Sequence, residues 1–190
     1  MSVEKLMALM ESEKITFDQL KDSLARCQGK RVHVLGDTIV DTYAYCNPIG
    51  SSTSKTPTLA VKYDREQSFA GGAAIVSRHL KEAGAEVVFT TVLGDDSLKD
   101  FVLREMETHG VVCCPEVESS RVTTQKNVFI ADGYRVLKVD KVDNRPISSK
   151  TLTAFASALS NSEAEAFVFS DFSHGIFSKG TTQRLISALP

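Results

Sequence analysis

The sequence has no run of apolar residues long enough to span a bilayer. Its first residues, MSVEKLMALMESEK, lack the basic start, apolar stretch and small-residue cleavage site of a secretory signal. Both absences point to the cytoplasm. Positive charge is not in excess: Lys and Arg number 22 against 24 Asp and Glu, for a net charge of -2. That balance speaks against nucleic acid or an anionic membrane as a partner. Cysteine is scarce. Cys27, Cys46, Cys113 and Cys114 include no C-x-x-C pair, so a zinc site has no support. Cys113 and Cys114 are neighbours in an expected strand, where successive side chains point to opposite faces. All four read as small hydrophobes in a reducing compartment. Internal repeats and low-complexity segments are also missing.

What remains is an ordinary globular composition, 42% hydrophobic and 24% charged over 190 residues. That length buries one substantial core, so one domain with a small appendage is expected. Residues 1–29 read as the appendage. Val3, Leu6, Met7 and Met10 recur at helical spacing. Thr16 and Gln19 fit a capping box before a second helix, which Gly29 stops. From residue 30 strands and helices alternate. Strands are expected at 31–35, 87–93, 111–114 and 166–169. Helices are expected from Gly71-Gly72 to Gly84 and at 97–109, 148–159 and 179–189. This alternation argues for a parallel sheet covered on both faces. Two pieces do not fit it: a short strand at 59–63, and two β-rich runs over 123–139 that flank the turn pair Asp132-Gly133. They are expected to form a small separate sheet over a cleft. The polar stretch 47–58 reads as a loop.

Ligands of open α/β sheets sit beyond the C-terminal strand ends. That directs attention to loops at 36–46, 69–73, 94–97 and 170–176. In GDTIVD, Asp37 and Asp41 follow the first strand; as ionised carboxylates they can accept hydrogen bonds from sugar hydroxyls, or cap a turn. In FAGGAAIVS, Gly71, Gly72 and Ala73 let backbone approach a ligand at a helix N-terminus, or form a tight strand-to-helix turn. Asp95 and Asp96, before Ser97, read as helix-capping acids. In FSDFSHG, Asp171 follows a strand, and His174 is either a proton-transfer or phosphate group or a solvated loop residue.

Taken in order, these loops resemble the PfkB/ribokinase family of carbohydrate kinases, and the heptose-phosphate kinases in particular. VLGDTIVDTY is similar to the family's opening strand and sugar loop. AGGAAIVSRHLKEAGAEVVFTTVLGDD resembles its N-terminal signature, TTQKNVFIADGYRVLKVD its lid strand pair, and VFSDFSHGIF its S-D-Y-x-K-G segment. The resemblance spans about residues 30–178 and is most specific over 70–96. It implies a ribokinase-like, Rossmann-type three-layer α/β core with a small β lid that often dimerises. It implies ATP and Mg²⁺ as cofactors for phosphoryl transfer to a sugar or sugar-phosphate hydroxyl. Carried over by position, Asp37, Asp41, Gly71, Gly72 and Ala73 hold the sugar, and Lys126 lies on the lid near a substrate phosphate. Asp171 and His174 lie on the nucleotide and metal side.

The chain departs from the family pattern at three places: Ile75 stands for a sugar-contacting Asn, Val128 for a lid Arg, and His174 for a Lys. The family's G-A-G-D segment, which carries the group that takes the hydroxyl proton, is not found before Pro190. The expectation is therefore an α/β domain truncated at its C-terminus, holding the sugar-binding portion but no catalytic residue, and inactive alone. The parent is expected to be a sugar-phosphate kinase that forms a homodimer through the lid; the heptose kinases it resembles are often fused to a nucleotidyltransferase, so a bifunctional parent is among the readings. The competing reading is a degenerate, non-catalytic sugar-binding or dimerisation module. A generic Rossmann-like nucleotide-binding domain is a third, disfavoured by the lid hairpin and the absence of a dinucleotide fingerprint.

Overall fold

The computed structural model describes residues 2–49 and 59–190. Two N-terminal helices, α1 (Val3–Ser12) and α2 (Phe17–Ala25), bury none of their residues. The expected capping box is present, with Thr16 Oγ1 accepting from the Gln19 N–H and Gln19 Oε1 accepting from the Thr16 N–H. The helices satisfy their own ends and leave Val3, Met7, Phe17 and Leu24 exposed.

The core begins with β1 (Arg31–Gly36), followed in chain order by β2 (Thr38–Pro48), β3 (Val61–Gly72), α3 (Ala73–Glu82), β4 (Glu86–Leu93) and α4 (Ser97–Thr108). Then come β5 (Val112–Val117), β6 (Gln125–Ala131), β7 (Tyr134–Lys141), α5 (Ser149–Ser160), β8 (Ala166–Ser170) and α6 (Lys179–Ile186). Four strands make a parallel sheet in the order β5-β4-β1-β8. Alternation along β1 divides its side chains between two layers. Val32 and Val34 pack with Ala73 and Ala74 of α3 and Val102 and Met106 of α4. Leu35 packs with Phe155 and Leu159 of α5 and Leu185 of α6. The result is helix, sheet, helix, as the alternation predicted.

The second sheet has the order β3-β2-β6-β7, with β2 and β6 parallel and both outer pairs antiparallel. It contains the lid strands, but the sequence boundaries need correction. Residues 38–46 are not a loop: β2 runs 11 residues from Thr38, and only the bend at Asp37 separates it from β1. The strand at 59–63 is the start of the 12-residue β3, so 69–71 are strand rather than loop, and Asn47 and Pro48 belong to β2. The length of β3 escaped detection because most of it, from Lys62 to Gln67, is exposed. A charged edge strand needs no apolar alternation and discourages stray pairing. The remainder of the expected loop, residues 50–58, lies outside the described residues. The hairpin turn is as expected: Asp132 and Gly133 both have positive φ, 48° and 78°, the handedness that matches strand twist.

His33, in β1, is 2% exposed, with Nδ1 3.0 Å from Ser162 Oγ and Nε2 2.8 Å from Thr90 Oγ1. Burial lowers its pKa. Both folded and unfolded chains hold it neutral above about pH 6.5. As pH falls below that value, the unfolded chain takes up the proton first and stability declines toward the depressed folded pKa. His33→Gln is therefore expected to flatten the stability profile between pH 6.5 and pH 5. Urea denaturation at both pH values tests this; an unchanged slope refutes it.

Candidate functional site

Beyond β1 the sheet order turns back: β4 and β5 lie to one side of it and β8 to the other. A crevice opens at such a switch point, beyond the strand ends. Asp37 follows β1 there, and the segment Asp171–Gly175 follows β8. Asp37 is 2% exposed. Its N–H donates to the Ser170 carbonyl at 3.1 Å and its carbonyl accepts from the Ala73 N–H at 2.8 Å. Its Oδ2 accepts two backbone N–H groups, from Phe172 at 2.9 Å and His174 at 3.2 Å. The carboxylate thus shapes the β8 loop with one oxygen.

The other oxygen, Oδ1, is buried without a partner, and so is His174 Nε2. Both residues line one cavity of about 10 Å³, together with Thr38, Val92, Arg121, Val122 and Thr124. His174 Nδ1 lies 2.9 Å from Asn144 Oδ1. With that amide oxygen as the acceptor, Nδ1 carries the proton, and in the neutral ring Nε2 turns a lone pair into the cavity. Burial lowers the His174 pKa, against the pull of Asp37; Lys126 lowers it further, and Asp140 and Asp171 oppose. Two acceptors, one of them charged, therefore await hydrogen-bond donors.

β3 delivers Gly71 and Gly72 to the same place. Gly72 caps α3 with φ 61° and ψ -134°, and a Cβ there would overlap the Asp37 carbonyl oxygen. A Cβ on Gly71 would lie 2.7 Å from Asp41 Oδ2. The diglycine thus passes between the Asp37 backbone carbonyl and the Asp41 carboxylate. Asp41 pairs in register with Lys126 of β6, which pairs with Asp140 of β7. Asp41 and Lys126 line an open depression of about 520 Å³ with Tyr43, Val128 and Arg135–Lys138. The charges of Lys126 and Asp140 act on His174, but this depression shares no lining residue with the cavity of Asp37 and His174.

Other expected residues lie differently. Ala73 is fully buried in the core, and its N–H is committed to Asp37, so it offers a ligand neither side chain nor amide. Asp171 is exposed and its Oδ1 accepts from the Ser173 N–H at 2.7 Å. Asp96 is a cap, its Oδ1 accepting from the Leu98 and Lys99 N–H groups and its Oδ2 from Thr123. Burial alone would raise the Asp96 pKa, but these hydrogen bonds hold it below the usual range. Asp95 pairs with Lys99. Burial pushes the Cys113 thiol up to about 12.

Sequence reasoning missed Glu118 and Arg121. Arg121 is 5% exposed at its side chain and pairs with Glu118 at 3.1 Å. Its Nη1 donates to the Asp143 and His174 carbonyls, at 2.7 and 3.2 Å, and its Nη2 to that of Arg145 at 2.7 Å. Glu118 Oε1 accepts from the Ser148 N–H and the Thr151 hydroxyl at the start of α5. No periodicity marks either residue; the only available signal is an Arg just ahead of the Thr123-Thr124 lead into the lid.

Residues 30–189 match the family model described as pfkB family carbohydrate kinase. The "Bifunctional protein HldE" of Hyphomonas neptunium is 30% identical over 174 residues, covering 90% of this chain and 35% of that protein. That of Helicobacter acinonychis is 31% identical over 167 residues, with 83% and 35% covered. The chain thus spans about a third of the length of these relatives. Among solved structures, a putative phosphofructokinase from Staphylococcus aureus superposes with a TM-score of 0.64 at 12% identity, over 83% of this chain and 49% of that one. Phosphofructokinase-2 from Escherichia coli, in complex with fructose-6-phosphate, gives 0.61 at 14% identity, over 84% and 51%. The fold is ribokinase-like.

Proposed function

The chain belongs to the pfkB family of carbohydrate kinases, and from that premise we propose that it forms the sugar-binding part of an ATP-dependent sugar-phosphate kinase, with a heptose phosphate as the acceptor. The observation that carries the reading is the partnerless Oδ1 of buried Asp37, in a cavity it shares with His174. A sugar hydroxyl donating to Oδ1 supplies the hydrogen bond that the buried carboxylate lacks. Asp41 offers a second carboxylate across Gly71. Lys126, on the same face of the lid, offers an ammonium to the phosphate of the acceptor. Holding the acceptor at both ends fixes the remaining hydroxyl in one orientation, and that is the contribution positioning makes to phosphoryl transfer.

ATP would supply the phosphoryl group and Mg²⁺ would neutralise its charge. The residues described here do not fit the metal: among them no three His, Cys, Asp or Glu side chains gather, and Asp171 spends one oxygen on its own loop. This chain's part in the reaction is to bind and orient the acceptor.

Ile75, half-buried in the first turn of α3, sits where the resemblance puts a sugar-contacting Asn. Ile75→Asn is expected to tighten binding of a heptose 7-phosphate about 5-fold, the equivalent of one hydrogen bond worth ~1 kcal/mol. Calorimetric titration of both proteins tests it, and equal affinities count against a sugar pocket at the diglycine. Ile75, Val128 and His174 also favour a second reading, a sugar-binding module that has lost catalysis. ATP-dependent turnover by the intact protein would exclude that reading.

A further inference from the structure

We propose that Arg121 is a positioning residue for the Asp37 carboxylate, acting through the loop that follows β8. The chain of contacts is short. The Arg121 guanidinium holds the His174 carbonyl, and the two N–H groups that grip Asp37 Oδ2 belong to Phe172 and to His174 itself. The same guanidinium holds the Asp143 and Arg145 carbonyls. Asn144, between them, orients the His174 ring. Backbone and ring of His174 are therefore both set by one buried fork, and with them the direction in which Asp37 presents Oδ1.

The fork geometry matters more than the charge. A guanidinium has five donors in a plane, and here four contacts are spread over three carbonyls and one carboxylate. An ammonium is a point charge with three donors and cannot span the same set. The ion pair with Glu118 anchors Arg121 at its Nε side but does not reach the loop. Arg121 also lies on the segment that leads into β6, where the Val40 N–H donates to the Thr124 carbonyl. The root of the lid and the orientation of Asp37 thereby share a support.

The consequence for ligand binding rests on the sugar-binding reading above; the positioning itself does not, and neither test below uses a sugar. In Arg121→Lys the positive charge is kept, so a change at His174 reports loop geometry. The groups facing that ring, Asp37, Lys126, Asp140 and Asp171, are unaltered. Released from its buried setting, His174 should titrate closer to its ordinary value in an NMR titration. The Phe172 and His174 amides should exchange at least 10-fold faster relative to the core amides of β4. Glu118→Gln should do neither. Unchanged His174 titration in Arg121→Lys, or faster exchange shared equally with β4, overturns the proposal. If Arg121→Lys does not fold, the wild-type protein decides. Phe172 and His174 amides protected like those of β8 support it, and exchange as fast as in exposed loops overturns it. A failed sugar titration with these results intact would remove the sugar reading and leave the positioning role standing.

Discussion

Gly72→Ala is expected to destabilise the protein by about 3–5 kcal/mol, combining backbone strain, overpacking and a lost hydrogen bond. The residue holds φ 61° and ψ -134° at the start of α3, a region that only glycine enters without cost. The added methyl would drive into the Asp37 carbonyl oxygen and stand 3.2 Å from the Ile39 amide nitrogen and 3.3 Å from Ile39 Cγ1. Two of these three are backbone atoms, one of them the acceptor for the Ala73 N–H. No flexible side chain is available to yield. Gly71→Ala is the control: its methyl would meet the tip of the Asp41 side chain, which can swing aside. Urea denaturation should show a large loss for Gly72→Ala and a small one for Gly71→Ala. Equal stabilities would mean that the diglycine is not pinned between the β1 and β2 ends.

Asp37→Asn is expected to weaken sugar-phosphate binding about 10-fold or more while the protein stays folded. A hydrogen bond to a charged group is worth ~1.5–3 kcal/mol against ~0.5–1.5 for a neutral one, and a difference of ~1.4 kcal/mol is a factor of ten. The amide keeps one oxygen, which can still accept from Phe172 and His174, but it turns a donor NH₂ toward the cavity in place of Oδ1. Asp37→Ala goes further. It leaves the Phe172 and His174 N–H groups unpaired, at about 1–3 kcal/mol each, so its effect on binding cannot be separated from damage to the loop. Calorimetry on the Asn variant makes the cleaner measurement. Wild-type affinity in that variant would reduce Asp37 to a loop clamp with no ligand role.

Much of this arrangement was legible in the chain. The β-rich runs RVHVL and VVFTTVL set buried strands, and Gly84 and Gly110 marked helix ends. Asp132-Gly133 marked the hairpin, because those residues tolerate the left-handed backbone such a turn needs. The sequence also singled out Asp37, which follows β1, and Gly72, which stands before α3 and meets the Asp37 carbonyl. Less legible was β2, whose acid at position 41 reads as a loop residue until its pairing with Phe69 and Lys126 is seen. The continuation of β3 beyond residue 63 was hidden for the reason that edge strands generally are: its polar residues face water and carry no core pattern.

Local chemistry along the chain thus determined the strands and helices of the parallel-sheet core, the hairpin turn, and the acid that follows β1. Tertiary structure alone decided what those acids can do. Whether Asp37 Oδ1 is free depends on amides from residues 172 and 174, and their place depends on a guanidinium at 121. Ala73 was lost as a ligand contact for a similar reason, its amide being taken by a carbonyl 36 residues earlier in the chain. Hydrogen bonds between residues far apart in sequence leave no periodic trace; their partners become readable only when the sheet order brings the ends of β1, β3 and β8 together.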